Sequence, residues 1–253
     1  MKYKSIIYLL LCLAFPLLSF GNKNSTPYGL ANTLYRNGHY ADAMREYKKL
    51  IDQGYQSAAL YYNMGNACFK SDEIPSAILY YEKARRLAPA DEDINFNIRY
   101  TNLKTTDKID EAPEFFLNKW WHAFILCCSL SALSTISISM VLLASLVLIG
   151  YLFTSSVVLK KASFFTSLIF FFLGLVVIFM GNRQSAYFDS HKQAIIFAGS
   201  VTVKSTPAAA AKTLFLLHEG TKVDVLETNA GKIRIKLANG SEGWIGAGDV
   251  KEI

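Results

Sequence analysis

The chain repeats itself at a fixed interval. Ala31, Tyr35, Ala43 and Tyr47 recur as Gly65, Phe69, Ala77 and Tyr81, always at the same offset. Leu34, Arg36, Tyr40 and Leu50 find their counterparts in Cys68, Lys70, Ile74 and Ala84 at that offset too. A constant period of about 34 residues implies stacked supersecondary units, each of which needs a neighbour to bury its apolar face. Within a unit the spacing is helical: Leu30, Ala31 and Leu34 share one stripe, and Ala43, Tyr47 and Leu50 another. Small residues at 31, 43, 65 and 77 let paired helices approach closely, and Tyr47 and Tyr81 fill the space beside them. Pro89 closes the second unit, because proline cannot continue a helix. Residues 91–103 begin with acids suited to a helix N-terminus, and Ile94, Ile98 and Asn102 continue the register. They are predicted to form the first helix of a third unit, or a capping helix.

This pattern resembles the tetratricopeptide repeat, although Cys68 and Ile74 stand where that repeat usually has larger or aromatic residues. Tyr28, Asn32 and Tyr35 share one helical face, with Arg36 beside it. Tyr62, Asn66, Phe69 and Lys70 repeat the arrangement one unit on. Aromatics and amides along a groove suit an extended peptide or a partner helix. In the competing reading the aromatics pack between helices and the amides face water. The repeat's chaperone-tail clamp has a lysine where this chain has Tyr28, which disfavours that ligand.

From Trp120 to Leu159 the chain has no Lys, Arg, Asp or Glu. Lys160-Lys161 and a second apolar run, Phe164 to Gly181, follow. One membrane span needs about 20 residues, so the first stretch is too long for one span and barely enough for two. In a two-span reading, residues 106–133 are a linker and interfacial helix, and 134–157 and 163–181 cross. In a three-span reading, Trp120–Ser139 and Met140–Leu159 both cross. The positive-inside rule favours two spans, with Lys160-Lys161 in the cytoplasm and Trp120-Trp121 at the outer interface. Both soluble segments then face the outside of the cytoplasmic membrane. Neither span carries an ionisable residue of the kind that marks an ion or proton path, so both read as anchors. Residues 1–21, with Lys2 and Lys4 before an apolar run, read as a signal peptide, or alternatively as an uncleaved anchor.

After a linker at 182–192 the pattern changes to five or so short strands, with a hairpin signal at Asn239-Gly240. Residues 193–253 resemble the bacterial SH3-like domain through Val203-Lys204-Ser205-Thr206-Pro207, Leu217-His218-Glu219-Gly220 and Gly243-Trp244-Ile245. Lys232 replaces a tryptophan common in that family. The resemblance implies a small barrel that binds peptides or cell-wall material, with Trp244 as ligand platform or as rim packing. The fold class expected overall is multi-domain: α-helical repeats over 22–105, two transmembrane helices, and a small all-β SH3-like barrel.

The net charge of +6 is not gathered into a basic cluster, so no nucleic-acid partner is expected. The four histidines are scattered, no glycine loop cradles a phosphate, and no nucleophile elbow is present. Cys127 and Cys128 are adjacent, and neighbours rarely bridge. No catalytic residue, metal site or cofactor is expected. Taken together, the parts resemble the BatE proteins of the Bacteroides aerotolerance operon type. That resemblance implies a non-catalytic envelope scaffold acting with membrane-bound von Willebrand A-type partners in stress tolerance. The alternative reading is a receptor that senses peptidoglycan or peptides through the barrel.

Overall fold

A computed structural model describes residues 27–110, 112–208 and 210–253; the signal-peptide reading of 1–21 lies outside the described residues. Five helices open the structure: α1 (Pro27–Arg36), α2 (Tyr40–Asp52), α3 (Ala58–Lys70), α4 (Ile74–Leu87) and α5 (Glu92–Asn102). The local signals that start them are physical. Ser57 Oγ accepts from Leu60 N–H at 3.1 Å and caps α3, and Asp91 accepts from Ile94 N–H at 3.0 Å and caps α5, each satisfying an orphan donor. Pro75 sits in the first turn of α4, where its missing N–H costs nothing.

The small residues of the repeat do what their size allows. Ala31, Ala43, Ala67, Ala77 and Ala84 are fully buried, as is Tyr47, and Tyr81 is 2% exposed. A Cβ on Gly65 would stand 2.6 Å from the Tyr81 ring, so the ring lies directly on the α3 backbone. Cys68, in a position the repeat usually gives to a larger side chain, is fully buried. Burial first, then the charge of Glu73, pushes its thiol up to about 12, so it packs as a small apolar group. Ile94 and Ile98 of α5 join the same core, whereas Asn102 is exposed. Thr101 takes the buried position there instead, 1% exposed.

Next come α6 (Phe116–Ile125), α7 (Leu130–Phe153) and α8 (Val157–Ser190). Two of these, α7 and α8, are long and apolar enough to cross a membrane, which suggests membrane association. They pack through small residues, as membrane helices do: Gly174 faces Val141 and Met140, and Ser167 Oγ donates to the Ala144 carbonyl at 2.9 Å. The helices differ from expectation at their ends. α7 starts at Leu130, capped by Ser129 Oγ, and α8 runs on through 182–190, where a linker was expected. That stretch has no proline or glycine to stop it. Gln184 donates to the Cys128 carbonyl at 2.8 Å, and the Tyr187 ring lies 5.0 Å from that of His122 on α6, so the extension is held on its flank.

Seven strands follow: β1 (Gln193–Ile196), β2 (Ser200–Lys204), β3 (Thr213–His218), β4 (Lys222–Asn229), β5 (Lys232–Lys236), β6 (Glu242–Gly246) and β7 (Val250–Glu252). They form one antiparallel sheet in the order β3-β2-β6-β5-β4-β1-β7. Alternation drives it: in β5, Ile233 and Ile235 face the core while Arg234 and Lys236 face out. The sheet has two ends, since no pairing among the described residues joins β3 to β7. The strand β7 escaped the sequence reading because Val-Lys-Glu is short and mostly exposed; it exists by pairing with β1.

The sheet packs against the helical repeats. Ile78 and Leu79 of α4 bury against Ile195 of β1, with Ile74, Phe197 and Ile253 around them. Glu82, only 3% exposed, accepts from Arg85 at 2.6 Å and from Lys222 of β4 at 3.2 Å. Burial lowers the Lys222 ammonium from its ordinary value, with Glu82 pulling the other way. Arg86 donates to the Ile253 carbonyl at 2.7 Å.

The segment after α5 completes the junction. Asp107 accepts from His218 N–H at 2.7 Å, from Thr221 Oγ1 at 2.7 Å, and pairs with the His218 ring at 2.8 Å. Gly220, at φ +83°, makes the turn that presents these donors. A Cβ there would sit 2.9 Å from Thr105, so the position needs glycine both for its backbone and for the close approach.

Candidate functional site

The repeats leave one face uncovered. The sheet occupies a face of α4, while the surface formed by α1, α3 and α5 carries the residues singled out from the sequence. Tyr28, Asn32 and Tyr35 on α1, and Tyr62, Asn66 and Phe69 on α3, are all half-buried; Arg36 and Lys70 are exposed. Asn63 of α3 ties Tyr28 and Asn32 of α1 to the helix that carries Tyr62, Asn66, Phe69 and Lys70. Trp244 is half-buried on β6, opposite Lys204 and Arg234 in the sheet register, at a separate place.

The amides bind each other across the repeats. Tyr47 OH donates to Asn32 Oδ1 at 2.6 Å, and Asn63 Nδ2 donates to the same oxygen at 3.1 Å and to Tyr28 OH at 2.8 Å. One repeat later the pattern returns. Tyr81 OH donates to Asn66 Oδ1 at 2.7 Å, and Asn97 Nδ2 donates to Asn66 Oδ1 at 3.1 Å and to Tyr62 OH at 3.0 Å. Burial, then neighbouring phenols, raises the Tyr47 and Tyr81 hydroxyls well above the ordinary tyrosine value, so both stay protonated donors.

These bonds fix which way each amide faces. The oxygens of Asn32 and Asn66 are each met by two donors. Among the described residues no acceptor meets their Nδ2, and no donor meets Oδ1 of Asn63 or Asn97. The surface therefore presents free donors and free acceptors in alternation, which is what an extended backbone offers in return. The two sequence readings, ligand groove or solvent-facing amides, are thus joined by a third role: the same amides tie one repeat to the next.

Asn63 and Asn97 were missed from the sequence, and so was the third step of the surface. Asn97 stands one repeat period after Asn63, as Phe96 does after Tyr62 and Lys104 after Lys70, so the repeat itself carried the signal. Phe96 is 58% exposed and Tyr100 49%. Their rings stack at 6.1 Å, and Tyr100 lies 5.7 Å from Phe69. Lys104 Nζ sits 4.6 Å over the Phe69 ring.

Comparison with known families agrees with this geometry. Residues 28–92 match the tetratricopeptide repeat. Tetratricopeptide repeats suggest a protein-interaction scaffold and imply protein partners, and the repeat family is typically non-catalytic. No curated protein matches the chain. Among solved structures, an NlpC/P60 family protein from Bacillus cereus ATCC 10987 is similar at 18% identity, over 28% of this chain and 23% of that one, with a TM-score of 0.22. A likeness this slight supports neither fold nor function.

The one histidine–carboxylate pair at the junction, His218 with Asp107, has both carboxylate oxygens engaged by the β3–β4 turn. Among the described residues no group of three or more His, Cys, Asp or Glu is placed to hold a metal.

Proposed function

We propose that the protein is a non-catalytic scaffold of the bacterial envelope, anchored by α7 and α8, whose tetratricopeptide groove binds a partner protein. The observation that carries this is the asparagine ladder with its unpaired amide donors and acceptors, on the face that the sheet leaves open. The resemblance to BatE-type proteins points to von Willebrand A-type membrane proteins as partners and to aerotolerance as the setting. On this reading residues 1–21 export the chain, Lys160-Lys161 face the cytoplasm, and the repeats and the SH3-like sheet share the periplasmic side. The packing of α4 on β1 favours that arrangement, because two modules that touch must lie on one side of the membrane.

The test is co-purification from native membranes. Substituting Tyr62→Ala with Asn66→Ala should abolish recovery of the partner while the protein stays in the membrane fraction. Unchanged recovery would refute the groove. A reporter fused after Ile253 tests topology independently: a cytoplasmic signal would separate the sheet from the exported repeats and overturn the shared-side arrangement.

A further inference from the structure

The groove has a charged edge as well as an amide floor. Arg36, Lys70 and Lys104 follow one another at the repeat period; Arg36 and Lys70 end α1 and α3, and Lys104 lies in the turn two residues past α5. All three are exposed. Arg36 gives one donor to Thr33 Oγ1 at 3.2 Å and keeps the rest of its guanidinium open. Lys70 has no ion-pair partner among the described residues. Lys104 stands 3.5 Å from Asp72, a carboxylate that is 85% exposed, and a pair so solvated opens readily. Glu92 and Asp93, the acids of α5, lie in its first turn, away from the cation row.

We infer that the ligand of this groove is an extended segment carrying an acidic side chain at about every third residue, so that successive carboxylates meet Arg36, Lys70 and Lys104. The inference rests on the groove reading above and adds the chemistry of its occupant. The spacing follows from geometry. Packed helices generally stand about 8–10 Å apart, and an extended chain advances about 3.3 Å per residue, so one helix step corresponds to roughly three residues. A cluster of adjacent acids reaches only one cation, whereas acids three apart reach all three. Phe96 and Tyr100 form an exposed aromatic step at the third helix, and an apolar side chain between the acids packs there.

The experiment uses the full chain in detergent and fluorescence anisotropy. The probe is an N-acetylated, C-amidated peptide with aspartate at every third position and serine, leucine and tyrosine between. A second peptide has the same composition with its aspartates adjacent. The spaced peptide should bind about tenfold more tightly than the clustered one, and Lys70→Glu, a change at an exposed position, should weaken it by about tenfold. Its affinity should fall as salt screens the contacts. Equal binding of the two peptides, no binding of either, or indifference to Lys70→Glu would overturn the inference. Asn97→Ala separates the two levels of the argument. If it and Tyr62→Ala abolish partner recovery from membranes while Lys70→Glu does not, the groove stands and the acidic spacing fails. If none of the three matters, both fail.

Discussion

The junction between repeats and sheet turns on one buried carboxylate, and its removal has a calculable consequence. Glu82 is 3% exposed and meets two cations, Arg85 and Lys222. Removing one partner of a fully buried pair costs about 3–5 kcal/mol, mostly because the other charge is stranded. Here the stranded cations are not fully dry, since the Lys222 and Arg85 side chains keep 26% and 35% exposure. That moves the expected cost of Glu82→Gln to about 2 kcal/mol of docking free energy, which is roughly a 30-fold rise in the undocked population. Lys222→Met should cost less, because Arg85 still neutralises Glu82.

The double variant should cost less than the sum of the two, by about 1–2 kcal/mol, since the methionine strands no charge. Tryptic cleavage after Lys108 reads the opening. Lys108 Nζ is held by the carbonyls of Asn102, Leu103 and Thr105, and the next residue, Ile109, packs into the sheet core. When reclosing is fast, the cleavage rate tracks the open population. A Glu82→Gln protein cleaved no more than twice as fast as the parent would show that the ion pair does not hold the junction. Strict additivity in the cycle would show that the two residues act separately.

Other consequences follow from the same structure. Asn66→Ala takes the acceptor from the buried Tyr81 hydroxyl and from Asn97, and should cost about 1–3 kcal/mol; thermal melting followed by circular dichroism should fall, and Tyr81→Phe added to it should recover part of the loss. Asp107 should make docking sensitive to acid. Partial burial pushes its carboxyl up, but the hydrogen bonds from His218 and Thr221, and the His218 charge, hold it below its ordinary value of 3.8. A depressed folded pKa stabilises the junction above that ordinary value, and the contribution disappears as pH falls through the folded one. Cleavage within the junction segment 103–110 should therefore accelerate below about pH 4, read with an acid-active protease, and Asp107→Asn should be loose at neutral pH with a weaker acid response. Gly220→Ala should be destabilising by more than about 1 kcal/mol, measured by urea unfolding, because its positive φ and the nearby Thr105 methyl both resist a side chain.

How much of this was legible beforehand varies with the range of the interaction. The repeat helices follow from contacts within one repeat period, and their small and aromatic positions recur, so pattern alone located them. The eight residues proposed for the groove came from the same periodicity. Asn63, Asn97 and Lys104 carried the same signal but were passed over, because a single asparagine or lysine on a helix has no distinguishing hydropathy. The short strand β7 and the helical extension through 182–190 were not readable, since each depends on a partner elsewhere: β1 for the strand, Cys128 and His122 for the helix.

The sequence by itself determined the sequence-local architecture: helices stacked at a constant period, two long apolar helices, and alternating strands after them. Burial periodicity and chain-local caps suffice for that. Only the tertiary structure decided that α4 packs on β1, that Glu82 meets Lys222 across 140 positions, and that Asp107 secures the turn at His218 across 111. A charge or an isoleucine on a helix face reads the same whether it meets water or another module. Which face was covered, and hence which face stayed open, was set by packing between segments whose sequences carry no mark of each other.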